Sequence, residues 1–185
     1  MVMTTEALQR LMVGIEQLSG LDLRQRETEL LQWLRVRQPL LSEAAIDRYA
    51  AAILKPNSAE LGELFRRFTV PHTRFFRDTE QLQAALAAVA ALGRRKVHIW
   101  IAGCSTGEEA YTVALLCRDF RIECEILASD LNGHALAQAR SGRYPIEALH
   151  CVPQQYHSDF IGSGASVEVS PKLRRHITCV MHSLM

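Results

Sequence analysis

The chain has 185 residues, of which 48% are hydrophobic and 22% charged, and its formal net charge at neutral pH is +1. This composition is typical of a globular protein with one ordinary domain or two small ones. The small net charge argues against nonspecific binding to nucleic acid or to anionic membranes, which needs a clustered basic excess. No apolar run approaches the ~20 residues of a membrane span, and no signal-like segment begins the chain. The sequence therefore predicts a cytoplasmic protein without membrane insertion.

The cysteines and histidines show no sign of a metal centre or a disulfide framework. The five cysteines are odd in number and contain no Cys-x-x-Cys pair, and the seven histidines lack the spacing of metal ligands. We therefore predict reduced thiols and no metal site.

The first part of the chain has apolar residues at helical spacing. This pattern predicts four short helices between Thr4 and Phe68, separated by glycine and proline breaks. Each helix has one apolar stripe and one charged face, as in a small helical bundle. We assign residues 1–70 to an all-helical domain and residues 71–96 to a connector and a linking helix.

Strands alternate with helices in the rest of the chain. Residues 97–102 are a short, mostly apolar run typical of a buried parallel strand, and residues 124–129 form a second predicted strand. Each of the two precedes a predicted helix. Residues 166–169 and 177–181 are further strand candidates. The order strand, glycine turn, helix, strand, helix is typical of Rossmann-like folds. The predicted fold class is α/β, with an incomplete Rossmann-like domain over residues 97–185 following the small helical domain.

The turn from Gly103 to Gly107 has the features of a ligand site. A glycine turn between a strand and a helix lets backbone amides approach a ligand closely. Glu108 and Glu109 begin the next helix and would repel a pyrophosphate, so they favour a cationic cofactor such as S-adenosylmethionine. The alternative is that both acids only complement the helix dipole. Asp130 ends the second strand, where such folds place an acid that binds ribose hydroxyls.

The same turn also matches the Gly-x-Ser-x-Gly nucleophile elbow of the α/β-hydrolases, with Ser105 as the nucleophile. In that class several strands precede the elbow, whereas only helices precede it here. No His-Gly-Gly-Gly oxyanion motif occurs upstream either. A serine hydrolase is therefore the less favoured alternative, and it requires a histidine near Ser105.

Three segments of the chain resemble, in order and spacing, signatures of the chemotaxis receptor methyltransferases of the CheR type. They run from Thr73 to Asp78, from Ile101 to Tyr111 and from Ala128 to Asn132. The resemblance extends over nearly the whole chain and implies a class I S-adenosylmethionine methyltransferase domain. It also implies S-adenosylmethionine as the cofactor and glutamate side chains on the cytoplasmic helices of chemoreceptors as the methyl acceptors.

The resemblance assigns roles to individual residues. Thr73 and Arg77 would line the cofactor and methyl-transfer pocket, and Arg77 is the candidate catalytic residue that orients the acceptor carboxylate or the cofactor. Glu108 would contact the amino-acid end of the cofactor, and Asp130 would bind its ribose. The other predicted cofactor-binding residues are Gly103, Ser183 and Leu184.

In this family the helical domain presents a basic face to the receptor. The candidates for such a face here are Arg24, Arg26, Arg35, Arg37 and Arg48. Because acidic residues lie between them, an ordinary solvated face is the alternative explanation.

The sequence departs from the family pattern in places. Pro71 and Ser183 occupy positions where the family commonly has asparagine, and the family's next strand, with its Arg-Asn pair, does not follow Met185. We therefore expect the strand at residues 97–102 to form an exposed edge. The chain is expected to be either a truncated methyltransferase or a noncatalytic module that binds the cofactor or docks signalling partners.

Overall fold

A computed structural model describes residues 5–38, 42–55, 58–69, 73–162 and 164–183. The chain divides into two compact units, the first over residues 1–67 with 183–185 and the second from Phe68 to His182. Among the helices of the described residues, none has the length and apolar character needed to cross a lipid bilayer.

Four α-helices make up the described part of the first unit, as the sequence predicted. They are α1 (Thr5–Ser19), α2 (Glu27–Arg37), α3 (Glu43–Ile53) and α4 (Ala59–Phe68), with a 3₁₀ turn at Arg24–Arg26. Their apolar stripes are buried, as amphipathic helices of a bundle require. The fully buried side chains include Leu11, Ile15, Leu34, Ile46 and Leu64.

Side-chain contacts connect these helices. Arg10 of α1 donates to both carboxylate oxygens of Asp47 in α3, at 2.9 to 3.2 Å. Trp33 of α2 packs edge-on against Tyr49 of α3, with ring centroids 5.9 Å apart. The Tyr49 hydroxyl in turn donates to Glu60 of α4 at 3.0 Å. Ionic, aromatic and hydrogen-bonding contacts therefore add to the apolar packing of the unit.

Most of the predicted basic face is balanced within the first unit. Arg24, Arg26 and Arg37 each form an ion pair with a carboxylate of the same unit. Of the five candidates, only Arg35 and Arg48 make no such pair among the described residues. This unit thus carries less unbalanced positive charge than the sequence suggested.

The second unit combines a parallel and an antiparallel sheet with four α-helices in its described residues. Its helices are α5 (Thr79–Ala91), α6 (Glu108–Asp119), α7 (Gly133–Ser141) and α8 (Pro171–Arg174), with 3₁₀ segments at Ile146–Cys151 and Gln154–Asp159. Its strands are β1 (Lys96–Ala102), β2 (Glu123–Asp130), β3 (Arg143–Pro145), β4 (Phe160–Ile161), β5 (Ser166–Val169) and β6 (Ile177–Met181). The parallel sheet has the order β1-β2-β6, and the small antiparallel sheet has the order β3-β5-β4. The α/β fold class is confirmed.

Within the described residues, the parallel sheet is covered on one face. Ile101, Ile126 and Ala128 point to that face and pack in a core with α6. On the other face, Trp100 is 55% exposed and Leu127 is 41% exposed. The prediction that β1 is a buried strand is therefore wrong for one of its faces, because β1 belongs to a sheet that the described helices cover on one side only. Among the strands that the structure describes, β1 lies at one edge of the parallel sheet.

Candidate cofactor site

The glycine turn after β1 and the tip of β2 lie side by side. The two strands run parallel, with Ala102 opposite Ser129, so their carboxyl ends meet at one edge of the sheet. The Cys104 amide donates to the Ser129 carbonyl at 2.8 Å, which continues the contact into the turn. This edge holds three of the predicted site residues, Gly103, Glu108 and Asp130.

The Asp130 carboxylate fixes the position of the turn. Its Oδ2 atom accepts a hydrogen bond from the Ser105 amide at 2.7 Å, and its Oδ1 atom accepts one from the Asn132 amide at 2.8 Å. A carboxylate has about four acceptor positions, so lone pairs remain on both oxygens. Asp130 is therefore able to hold the turn and to accept hydrogen bonds from ligand hydroxyls at the same time.

The turn uses backbone conformations that favour glycine. Gly103, Ser105 and Gly107 have φ angles of 73°, 49° and 93°. A Cβ atom on Gly107 would lie 2.8 Å from the Cβ of Ala139, whereas a Cβ on Gly103 would meet nothing within 4 Å. Gly107 therefore permits close packing against α7, while Gly103 borders open space in which a ligand has room.

Two buried tyrosines hold the turn and α7 in place. The Tyr144 hydroxyl donates to the Thr106 carbonyl at 2.7 Å, and the Tyr111 hydroxyl donates to the Ala139 carbonyl at 2.6 Å. Burial raises the pKa of both hydroxyls, so they remain protonated donors. The sequence does not indicate either tyrosine as a site residue, since a single tyrosine gives no sign of which carbonyl it will reach.

Glu108 begins α6 as a half-buried carboxylate, while the neighbouring Glu109 is exposed. Burial raises the pKa of Glu108 above the usual glutamate value, and a hydrogen bond from the Thr106 hydroxyl at 2.6 Å opposes this shift. In the part of the chain that the structure describes, no cationic side chain pairs with Glu108. A carboxylate in this position is stabilised by a nearby positive charge. The site therefore fits a ligand with a cationic group, such as the ammonium and sulfonium of S-adenosylmethionine.

The connector before α5 reaches the start of α6 through a short chain of hydrogen bonds. The Phe76 amide donates to the Thr112 hydroxyl at 3.0 Å, and that hydroxyl donates to the Glu108 carbonyl at 2.7 Å. Arg77 is the next residue; its side chain is 48% exposed, and its Nε atom lies 3.3 Å from Asp78 Oδ2. The structure thus places the backbone of the candidate catalytic residue beside the first turns of α6.

Aromatic packing anchors this connector. Phe75 is 2% exposed and packs edge-on against Tyr144 and Phe160, with centroid distances of 4.9 and 5.2 Å. Phe76 stacks on Tyr156 at 5.0 Å. Both rings therefore hold the connector against β3, β4 and the intervening 3₁₀ segment, which restricts where Arg77 can lie.

The other predicted site residues have less defined surroundings. Thr73 is half-buried at the start of the connector. Ser183 is half-buried and follows His182, whose amide donates to the Asp130 carbonyl at 3.1 Å. Leu184 lies outside the described residues. The roles assigned to these three residues, like those of the other predicted site residues, stay predictions.

The geometry does not favour a serine hydrolase. A nucleophilic serine needs an adjacent general base. Within the described ranges, no histidine hydrogen-bonds the Ser105 hydroxyl, and the contact of Ser105 with Asp130 uses its backbone amide. His157 and His176 hydrogen-bond the carbonyls of Val152 and Cys124 instead.

Taken with the parallel sheet, these contacts define the second unit as a Rossmann-like domain for a cationic, hydroxyl-bearing cofactor. The family model described as CheR methyltransferase, SAM binding domain, matches residues 71–185. The chain therefore belongs to the CheR methyltransferase family, which confirms the resemblance found in the sequence. S-adenosylmethionine is accordingly the cofactor of this domain.

Individual relatives agree with this assignment. The chain is 30% identical over 169 residues to chemotaxis protein methyltransferase 2 of Pseudomonas aeruginosa, covering 87% of this chain and 60% of the relative. It is 29% identical over 139 residues to a chemotaxis protein methyltransferase of Listeria monocytogenes, covering 71% and 53%. It is 33% identical over 114 residues to the chemotaxis protein methyltransferase of Salmonella typhimurium, covering 58% of this chain and 39% of the relative. The chain thus spans about half the length of these relatives.

Proposed function

We propose that this protein transfers methyl groups from S-adenosylmethionine to glutamate side chains on the cytoplasmic helices of chemoreceptors. The observation that carries the proposal is the half-buried Glu108 carboxylate, which has no cationic partner among the described residues and lies on the same sheet edge as Asp130. The family assignment and the names of the relatives support a methyltransferase of chemotaxis proteins. Glutamate on the cytoplasmic helices of chemoreceptors as the acceptor follows from the motif resemblance, and a cytoplasmic location is the prediction made from the sequence.

The proposal gives each site residue a binding task. When bound, S-adenosylmethionine supplies a methyl group activated by a sulfonium centre. Glu108 binds the cationic amino-acid end, and Asp130 accepts hydrogen bonds from the ribose hydroxyls. Gly103 leaves space at the turn for close approach of the cofactor. Thr73, Ser183 and Leu184 complete the proposed cofactor contacts.

The acceptor side needs positioning more than acid–base chemistry. A glutamate carboxyl group has a pKa of about 4.3 and is ionised at neutral pH, so no residue of this chain has to remove a proton from it. Arg77 is assigned to orient the acceptor, because a guanidinium binds a carboxylate through two parallel hydrogen bonds. Holding the two reactants in line and excluding water supply most of the rate enhancement.

Calorimetric titration with S-adenosylmethionine and S-adenosylhomocysteine tests the cofactor site. We expect saturable binding that Glu108→Gln and Asp130→Ala each weaken by about tenfold or more, as loss of a charge-assisted hydrogen bond implies. Glu109→Gln, at the neighbouring exposed position, is the matched control and should bind normally. A folded chain that binds neither compound contradicts the proposal.

A second assay tests the acceptor. Labelled S-adenosylmethionine is incubated with the chain and a chemoreceptor cytoplasmic fragment, and base-labile label on the fragment reports glutamate esters. We expect labelling that Arg77→Lys reduces more than it reduces cofactor binding. Cofactor binding without any labelling would favour the alternative function, a noncatalytic cofactor-binding or partner-docking module.

A further inference from the structure

A second concave site lies at the opposite end of the parallel sheet from the glycine turn. It is a cleft of about 410 Å³ lined by residues of α6 and α8 and by the segments that lead into β2 and β6. Ile122 and His176 directly precede these two strands. Because β2 has eight residues at ~3.3 Å each, the cleft is roughly 20 Å from Asp130. The cleft is therefore distinct from the cofactor site.

This cleft carries more positive charge than its own acids balance. Arg118 is paired with Asp159 through contacts of 2.8 and 2.9 Å, and Glu123 is the other acid of the lining. Three further cations line the cleft without a side-chain hydrogen bond or ion pair to any described residue. They are Arg121, Lys172 and Arg175. Since the whole chain has a net charge of only +1, this excess is local.

Arg121 occupies a backbone position that favours glycine. Its φ angle is 55°, just after the end of α6. The Ile122 amide donates to the Cys117 carbonyl at 2.8 Å, and the Arg121 amide donates to the Arg118 carbonyl at 3.0 Å. This is the Schellman pattern, in which the left-handed residue is usually glycine. The helix end alone would favour glycine at this position and does not explain an arginine. The position of the Arg121 guanidinium at the cleft does explain it.

The floor of the cleft is apolar. Ala114, Ile122, Cys124 and Leu173 line it and are at most 6% exposed. Guanidinium groups bind phosphate oxygens through paired hydrogen bonds, and lysine adds a compact positive charge. An apolar floor beside such cations suits an anion that also has an uncharged part.

We propose that this cleft binds a small organic polyphosphate of the nucleotide type. Its phosphates contact Arg121, Lys172 and Arg175, and its uncharged part lies on the floor formed by Ile122 and Leu173. The volume of the cleft is that of a small-molecule site, which favours such a ligand over an acidic protein surface. This inference does not depend on the methyl acceptor proposed above.

Calorimetric titration of the full chain with inorganic tripolyphosphate and with ATP, without divalent cations, tests the site. Each titration is repeated with saturating S-adenosylhomocysteine, which prevents the adenosine of ATP from entering the cofactor site. We expect one saturable site per chain, tighter for ATP, that persists under these conditions. Arg121→Gly and Arg175→Gln should each weaken binding by about tenfold. Arg35→Gln, which changes an exposed arginine of the first unit, should leave it unchanged.

The Arg121→Gly variant separates binding from folding. Glycine suits the left-handed backbone conformation that Arg121 adopts after the end of α6. This variant should therefore keep or raise the thermal stability of the protein while losing affinity for polyphosphate. Lack of saturable binding, displacement of tripolyphosphate by S-adenosylhomocysteine, or equal weakening by Arg35→Gln would overturn the proposal. Binding of a glutamate-rich peptide in the absence of polyphosphate binding would overturn it in favour of a protein partner.

Discussion

The Asp130 carboxylate accepts a hydrogen bond from the Ser105 amide at 2.7 Å, so one side chain joins the tip of β2 to the glycine turn that follows β1. Its other oxygen accepts a hydrogen bond from the amide of Asn132, the residue directly before α7. The residue predicted to bind the ribose therefore also shapes the turn that would surround the cofactor. A change at Asp130 should affect folding and cofactor binding together.

Asp130→Asn tests this double role. An asparagine side chain has one acceptor oxygen and one amino group, so one of the two backbone amides would lose its acceptor. We expect the second unit to lose about 1–3 kcal/mol of stability, the usual cost of an unsatisfied buried donor. Denaturant unfolding, followed by the fluorescence of Trp100, measures this loss of stability. Because the chain has two tryptophans, a Trp33→Phe background removes the signal of the other one.

Asp47→Asn is the control for the same chemical change at an exposed ion pair. Asp47 pairs with Arg10 on the surface of the first unit, where solvent screens the two charges and the pair adds little stability. The unfolding of this control is followed by Trp33 fluorescence in a Trp100→Phe background. Equal losses of stability in the two variants would show that Asp130 does not hold the turn.

Gly107→Ala should disrupt the packing of the turn on α7. The position has a φ angle of 93°, and a Cβ atom there would lie 2.8 Å from the Cβ of Ala139. We expect a loss of about 2 kcal/mol or more in the free energy of unfolding of the second unit. Gly133→Ala is the control: it meets nothing within 4 Å at the start of α7 and should leave stability unchanged or slightly raised. Similar behaviour of both variants would contradict the role of Gly107.

The long elements of the fold could be predicted because their residues have a clear period. Helices α1 to α4 have apolar stripes at helical spacing, and β2 is long enough for an apolar run to stand out. Strands β3 and β4 have three and two residues, too few to show a period, so the antiparallel sheet could not be predicted as a unit. It exists because β5 pairs with both strands and buries Tyr144, Phe160 and Val167.

The candidate site was predictable only in part. The glycine turn and the acid at the end of β2 are local patterns, so Gly103, Glu108 and Asp130 could be selected from sequence spacing. The hydrogen bonds of Tyr144 to Thr106 and of Phe76 to Thr112 join residues more than thirty positions apart. Such contacts depend on how the elements pack, which a single sequence does not specify. The solvent exposure of Trp100 likewise depends on which face of the sheet the described helices cover, which the residues of β1 alone do not specify.

Tyr144→Phe should weaken cofactor binding through the turn. The substitution removes the donor to the Thr106 carbonyl and keeps the buried ring, so stability should fall by about 1 kcal/mol. Because the Thr106 hydroxyl also donates to Glu108, a displaced turn should lower the affinity for S-adenosylhomocysteine by several-fold. Tyr111→Phe removes the matched bond to Ala139 and should cost similar stability with a smaller loss of affinity. Equal effects on affinity would argue that Tyr144 has no special role at the turn.

Glu108→Gln should make the cofactor-free protein more stable while weakening the cofactor site. Burial raises the pKa of Glu108 above its ordinary value of 4.5, so the folded state binds the proton more tightly than the unfolded state. The stability of the protein with Glu108 therefore falls as pH rises from about 4.5 through the raised pKa, and the loss is complete above it. Glutamine does not titrate, so the variant should gain relative stability across this window and keep the gain at neutral pH. Thermal unfolding between pH 4 and pH 8 measures it.

Adding S-adenosylmethionine should reverse the order of stabilities. At a fixed ligand concentration, the stabilisation grows with the logarithm of the affinity. The cationic groups of the ligand interact with the Glu108 carboxylate but only weakly with glutamine. We therefore expect a larger upward shift in melting temperature for the unmodified protein than for Glu108→Gln. Glu109→Gln, at an exposed position on the same helix turn, should shift as the unmodified protein does. A Glu108→Gln variant that is less stable without ligand and equally stabilised by it would mean that the carboxylate serves the helix start and not the cofactor.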